Sequence, residues 1–116
     1  MAFGGSCHCG EVAFTVEGDV PGGGMACNCS HCQRKGFILA FVPAANFRLD
    51  KGGELLTSYL FNKHNIEHLF CRNCGVQAFA EGKMPDGSPM RAINLRCVEG
   101  IDVDKLEIQH FDGASL

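Results

Sequence analysis

Cys71-Arg72-Asn73-Cys74-Gly75 is the stretch from which the fold is read. In C-x-x-C the chain curls until two sulfurs converge on one point about 2.3 Å from a zinc ion, and a following glycine permits the tight turn. A closed tetrahedral site needs two further ligands, and by count Cys7 and Cys9, near the amino terminus, supply them. One ion would then tie the amino-terminal edge to the middle of the chain, restricting the unfolded state and adding metal–thiolate bonds. Between these pairs lies Cys27-Asn28-Cys29-Ser30-His31-Cys32, with three thiols in six residues. Three protein ligands and a vacant position are the ligand count of a catalytic zinc, whose tetrahedron water or substrate completes. Spacing alone also allows Cys27 or Cys29 to join the knuckle. The eighth cysteine, Cys97, reads as a buried thiol at a strand end.

Composition narrows what these thiols do. The chain has 116 residues, 46% of them hydrophobic and 20% charged, as expected of one globular domain over residues 1–116. At this length a core buries only about two-thirds of the unfolded surface, so a metal staple has work to do. A formal charge of -3 leaves no excess of Lys or Arg for a phosphate backbone or an anionic membrane, so neither nucleic acid nor membrane is expected as a partner. No apolar run approaches the ~20 residues of a membrane span, and Met1–Gly10 has no signal-peptide pattern, which points to the cytoplasm. In that reducing compartment, clustered thiols are metal ligands or catalysts rather than a disulfide framework. An iron–sulfur cluster uses the same thiolates, whereas a thioredoxin-like role lacks its βαβ surroundings.

The pattern around the cysteines is that of short strands. Residues 11–17 alternate, with Val12, Phe14 and Val16 on one face. Further strands are expected at 37–42, 47–49, 55–61, 66–70, 76–80, 90–95 and 106–111. They are divided by the turns Pro43-Ala44-Ala45-Asn46, Lys51-Gly52-Gly53, Asn62-Lys63-His64 and Pro85-Asp86-Gly87-Ser88. The fifteen glycines fit many tight turns. Helix is limited to single turns at 30–35 and 103–105, because no longer segment holds a 3.6-residue period. The expected class is all-β, with several short antiparallel strands and little helix.

Three segments carry a family resemblance: Gly5-Ser6-Cys7-His8-Cys9-Gly10, Cys27-Asn28-Cys29-Ser30-His31-Cys32 and His68-Leu69-Phe70-Cys71-Arg72-Asn73-Cys74-Gly75-Val76. In this order they resemble the glutathione-dependent formaldehyde-activating enzyme family and the related centromere protein V domain. Phe41-Val42-Pro43 and the closing Phe111-Asp112-Gly113 extend the resemblance to nearly the whole chain. It implies a zinc-containing β-tent in which Cys7, Cys9, Cys71 and Cys74 hold a structural Zn²⁺ and Cys27, Cys29 and Cys32 hold a catalytic, labile one. It further implies a carbon–sulfur lyase of the S-(hydroxymethyl)glutathione synthase type, which condenses glutathione, or a related thiol, with formaldehyde or another small aldehyde, as in formaldehyde detoxification. The alternatives are a non-catalytic zinc-stabilised binding module and a zinc-buffering protein.

The chemistry of an open three-cysteine zinc fits such a reaction. A coordinated thiol loses its proton at neutral pH, and the ion can polarise an aldehyde oxygen. Three thiolates leave the site at a net charge of about -1, which weakens Lewis acidity and favours metal exchange. His31 has three functional readings, as a fourth ligand, a proton carrier or an orienting group, beside that of an exposed turn histidine. His8 is expected to point away from the metal, and His64 and His68 are read as surface groups, with His68 near the knuckle. Glutathione carries two carboxylates, for which Arg34 and Lys35 are candidate anchors and Lys63, Arg91 and Arg96 further ones. Phe37, Phe41, Phe61 and Phe70 are assigned to the core.

Overall fold

Phe14 and Val16 are almost wholly buried on strand β2 (Ala13–Glu17), as the alternation from Val12 onward requires. In the computed structural model, which describes residues 1–60 and 66–115, β2 is the centre of a three-stranded antiparallel sheet between β1 (Ala2–Ser6) and β5 (Phe47–Lys51). The register sets Phe3 opposite Val16 and Gly5 opposite Phe14. Gly5 is fixed by close approach: a Cβ there would collide with the Cys97 carbonyl and the Phe14 ring. β1 is absent from the sequence expectation because its glycines weaken the strand signal.

The second sheet has seven strands in the order β10-β3-β4-β9-β8-β7-β6. These are β3 (Gly23–Cys27), β4 (Leu39–Pro43), β6 (Leu56–Tyr59), β7 (Glu67–Cys71), β8 (Phe79–Lys83), β9 (Pro89–Asn94) and β10 (Glu107–Phe111). β3 is the other unexpected strand, glycine-rich because Ile38 and Leu95 pack where a Gly24 side chain would stand. The pairing of β10 with β3 is parallel, a departure from the expected all-antiparallel pattern. The remaining strands lie within a few residues of their expected bounds, and Phe61 and the turn at residues 62–64 lie outside the described residues.

One core joins the two sheets, with Phe14 stacked on Phe47 at 5.5 Å and edge-on to Phe79 at 6.5 Å. The single α-helix among the described residues is α1 (Ser30–Lys35), and residues Val103–Lys105 form a 3₁₀ turn, both where single turns are expected. The fold is thus mostly β, with a three-stranded and a seven-stranded sheet and little helix. No helix among the described residues is long and apolar enough to cross a membrane. Of the four phenylalanines assigned to the core, Phe37 is buried and Phe70 half-buried, but Phe41 is 39% exposed and belongs to a cavity rim. Phe61 lies outside the described residues.

Candidate functional site

Two knuckles of matching design bring four sulfurs together. Cys7 follows β1 and Cys71 ends β7, and each donates its amide to the carbonyl five residues on, Val12 and Val76, at 3.0 Å. Gly10 and Gly75 close the two turns at φ 81° and 82°, in the left-handed region that disfavours a Cβ. The sulfurs of Cys7, Cys9, Cys71 and Cys74 all lie within 4.8 Å of one another, with 3.5 Å from Cys7 to Cys9 and 3.7 Å from Cys9 to Cys71. Four sulfurs about 2.3 Å from a tetrahedral zinc stand about 3.8 Å apart, so the set fits that ion. All eight cysteines are free thiols, which disposes of the disulfide framework.

The environment sorts these thiols. Burial pushes Cys7 up to about 11, although the Val12 amide donates to its sulfur. Burial also acts to raise Cys74, but amides of Cys9 and Val76 and the neighbouring thiols outweigh it and bring it down to about 6. Amide donation from Glu11 and the Asn73 side chain lowers Cys9.

Cys27, Cys29 and Cys32 form a second set within 4.8 Å. Cys27 ends β3, Cys29 is the N-cap of α1, and Cys32 sits in that helix's first turn. The Cys29 sulfur accepts from the Cys32 amide at 3.3 Å, the bond an N-cap Ser or Asp usually makes, and the Cys27 sulfur accepts from the Cys29 amide at 3.4 Å. Burial acts to raise Cys29, but the Cys32 amide and the adjoining thiols leave it lowered, whereas burial and its neighbours raise Cys32. A donor set of three thiols with amides aimed at two of them suits a soft divalent ion such as zinc.

A strap from the carboxyl-terminal segment lies against this trio. Asn28 donates to Asp112 at 3.0 Å and accepts from the Ala114 amide at 2.9 Å, and the Ser115 hydroxyl donates to Asp112 at 2.6 Å. These bonds hold Gly113 so close to Cys27 that an added Cβ would stand 2.5 Å from its sulfur.

The trio opens into a cavity of about 730 Å³ lined by Met25, Leu39, Phe41, Met84, Met90 and Phe111, with His68, Gln77 and Lys83 as its polar members. A second depression of about 580 Å³ reaches Cys27 and Cys32 from another side, among Asn28, Gln33, Arg96, His110 and Asp112. None of Cys7, Cys9, Cys71 and Cys74 lines either space.

His68 is a correction to its reading as a surface group: it is 5% exposed and lines the larger cavity. Its Nδ1 accepts from the Gln77 side-chain amide at 3.1 Å, which leaves the ring proton on Nε2. Burial, with the positive charge of His31 and Lys35 beside it, takes His68 down to about 4. His31 is half-buried rather than exposed, its ring 4.0 Å from that of His68 and stacked on Tyr59 at 5.6 Å. Burial, then Lys35, lowers it, and it does not join the three sulfurs in a common ligand set.

The candidate cationic anchors are placed elsewhere. Arg34 is exposed and donates to the Ser30 carbonyl, and Lys35 lies over the Phe70 ring; neither lines the cavity or the smaller depression. Arg91 pairs with Glu81 at 3.1 Å, while Arg96 lines the smaller depression and donates to the Gly36 carbonyl. Lys63 and His64 lie outside the described residues, and His8 is exposed. Cys97 is half-buried rather than buried; it donates toward the Gln77 carbonyl at 3.8 Å, and burial pushes it up to about 11. Gln77 carried no sequence signal, since one glutamine in an apolar segment has no pattern to announce it.

The chain is 29% identical to a Rhodobacter sphaeroides protein of known crystal structure, with a TM-score of 0.77 over 91% of this chain and 99% of that one. The family model described as glutathione-dependent formaldehyde-activating enzyme matches residues 2–108, a span that takes in both knuckles and the trio. On that match, over a fold with both cysteine sets assembled, the chain belongs to the glutathione-dependent formaldehyde-activating enzyme family.

Proposed function

We propose that the protein is a zinc-dependent carbon–sulfur lyase that joins a thiol to an aldehyde. In this reading Cys27, Cys29 and Cys32 hold the working ion, and Cys7, Cys9, Cys71 and Cys74 hold a structural one. The observation that carries it is the contrast between the two sets: the trio stands at a cavity of about 730 Å³, while the set of four lines neither that cavity nor the smaller depression. A closed site and an open one divide structural from catalytic work. When bound at the trio, the ion supplies thiol deprotonation and a Lewis-acid contact for the carbonyl oxygen.

The chain's own groups do the rest. In the reaction the thiol sulfur adds to the carbonyl carbon, an S–C bond forms as the C=O π bond opens, and the thiol proton ends on oxygen. The Met and Phe walls offer the carbonyl reactant an apolar seat beside the trio, and holding the partners close is most of what a reaction that also proceeds unaided requires. His68, brought down to about 4 by burial and nearby positive charge, is a neutral imidazole at pH 7 and a poor base. Its role is that of a fixed hydrogen-bonding group oriented by Gln77.

The test is NMR exchange spectroscopy of glutathione and formaldehyde with and without the protein. Acceleration that disappears in Cys29→Ser, with the fold kept, supports the reading. Lack of any acceleration by the zinc-loaded protein, with formaldehyde and with longer aldehydes alike, rejects it and leaves a binding or zinc-buffering role for the trio.

A further inference from the structure

The larger cavity has the wrong chemistry for a small hydrated aldehyde or a doubly carboxylated peptide. Its one charged lining side chain among the described residues is Lys83, and its walls are Met25, Leu39, Met84 and Met90. Three large hydrophobic side chains at its margin, Phe41, Ile66 and Phe111, are 39%, 40% and 45% exposed. Exposed apolar groups gathered at the mouth of a cavity mark a surface that a ligand covers. Formaldehyde has no side chain to cover it. Glutathione's carboxylates find one cation there, since Arg34 and Lys35 face neither space. Arg96 and His110 line the smaller depression, on the other approach to Cys27 and Cys32.

We propose that the larger cavity takes an aldehyde with an unbranched aliphatic chain, its carbonyl at the trio and its tail along the methionines, while the polar thiol approaches from the Arg96 side. This rests on the thiol–aldehyde reading above and names its carbonyl substrate class. Unbranched thioether side chains suit such a tail, because Met adapts to a chain of variable length and path. The bond changes are those of hemithioacetal formation: the S–C bond forms, the C=O π bond opens and the thiol proton passes to oxygen. No further reactant is needed.

Two measurements on the zinc-loaded protein test it. The first titrates 1-octanol, an unreactive analogue, into protein carrying ¹³C-methyl methionine. Met25, Met84 and Met90 are expected to shift, while Met1, 97% exposed and remote from the cavity lining, serves as the internal reference. The second measures glutathione-dependent kcat/KM from formaldehyde to octanal, expected to rise about fourfold per methylene until the cavity is filled. Unmoved cavity methyls, or a series that is flat or highest at formaldehyde, overturn this substrate assignment while leaving the thiol–aldehyde reading intact. Shifted methyls with no aldehyde accelerated overturn both.

Discussion

Gly113 packs directly on Cys27, with no room for even a methyl group between its Cα and the Cys27 sulfur. The strap that carries it is held by Asn28 and Asp112, residues flanking the two groups in contact. Gly113→Ala must therefore displace the sulfur or the strap. The expected result is a 10- to 100-fold loss of affinity at the trio, the usual effect of disturbing the groups around a metal ligand, with the four-cysteine site unchanged. Chelator competition with a colorimetric zinc indicator reads both sites, and biphasic release identical to wild type would refute the contact's importance.

Cys71→Ser and Cys29→Ser should separate stability from activity. Structural zinc in small domains contributes roughly 10–16 kcal/mol of apparent binding energy, against a folding margin of about 5–15 kcal/mol. Cys71→Ser, which breaks the set joining both sheets' ends, is expected to yield an unfolded or molten chain by circular dichroism. Cys29→Ser is expected to keep a cooperative melt within several degrees of wild type.

His68 gives stability a pH dependence of defined sign. Its proton is bound in the unfolded chain below about 6.5 but in the folded chain only below about 4. Between these values the unfolded state holds more protons, so stability falls as pH falls, by up to about 1.4 kcal/mol per pH unit. Above that window the group contributes no slope. Urea melts of zinc-loaded wild type and His68→Asn at pH 7.5, 6 and 5 should diverge in slope, and parallel lines would mean that His68 charges freely in the folded protein.

Gly10→Ala and Gly75→Ala test the kinship of the knuckles. Nothing lies within 4 Å of a Cβ added at either, so the cost is conformational alone, about 1–2 kcal/mol for a left-handed alanine. Both variants should lose the same amount in denaturant melts of the zinc-loaded protein. Unequal losses would show that one turn relaxes and the other does not.

The closeness of Cys71 to Cys74, and of Cys27, Cys29 and Cys32 to one another, was legible because short spacing is written in the chain itself, whereas spacing alone did not say that Cys7 and Cys9 would join Cys71 and Cys74. Strands with apolar alternation, such as β2, were legible for the same local reason. β1 and β3 were not, since Gly5 and Gly24 are there to let Cys97, Ile38 and Leu95 come close, a requirement set by residues far along the chain. The cavity escaped notice because its walls come from many segments, and each methionine or phenylalanine taken singly reads as core. His68 shows the limit most plainly, for residues 66–70 have no apolar alternation to say which way a histidine turns, and the structure buries it beside His31 and Gln77.

The parallel pairing of β3 with β10 has a consequence for biogenesis. Asn28 and the Asp112 that clasps it are 84 positions apart, and β10 must dock beside β3 before Gly113 can reach Cys27. During synthesis the three thiols of the trio therefore emerge long before the strap that packs on Cys27. A nascent chain passes through an interval in which Cys27 lacks its Gly113 contact and is the more open to oxidants and competing ions, and that contact forms only after the β10 segment has been made.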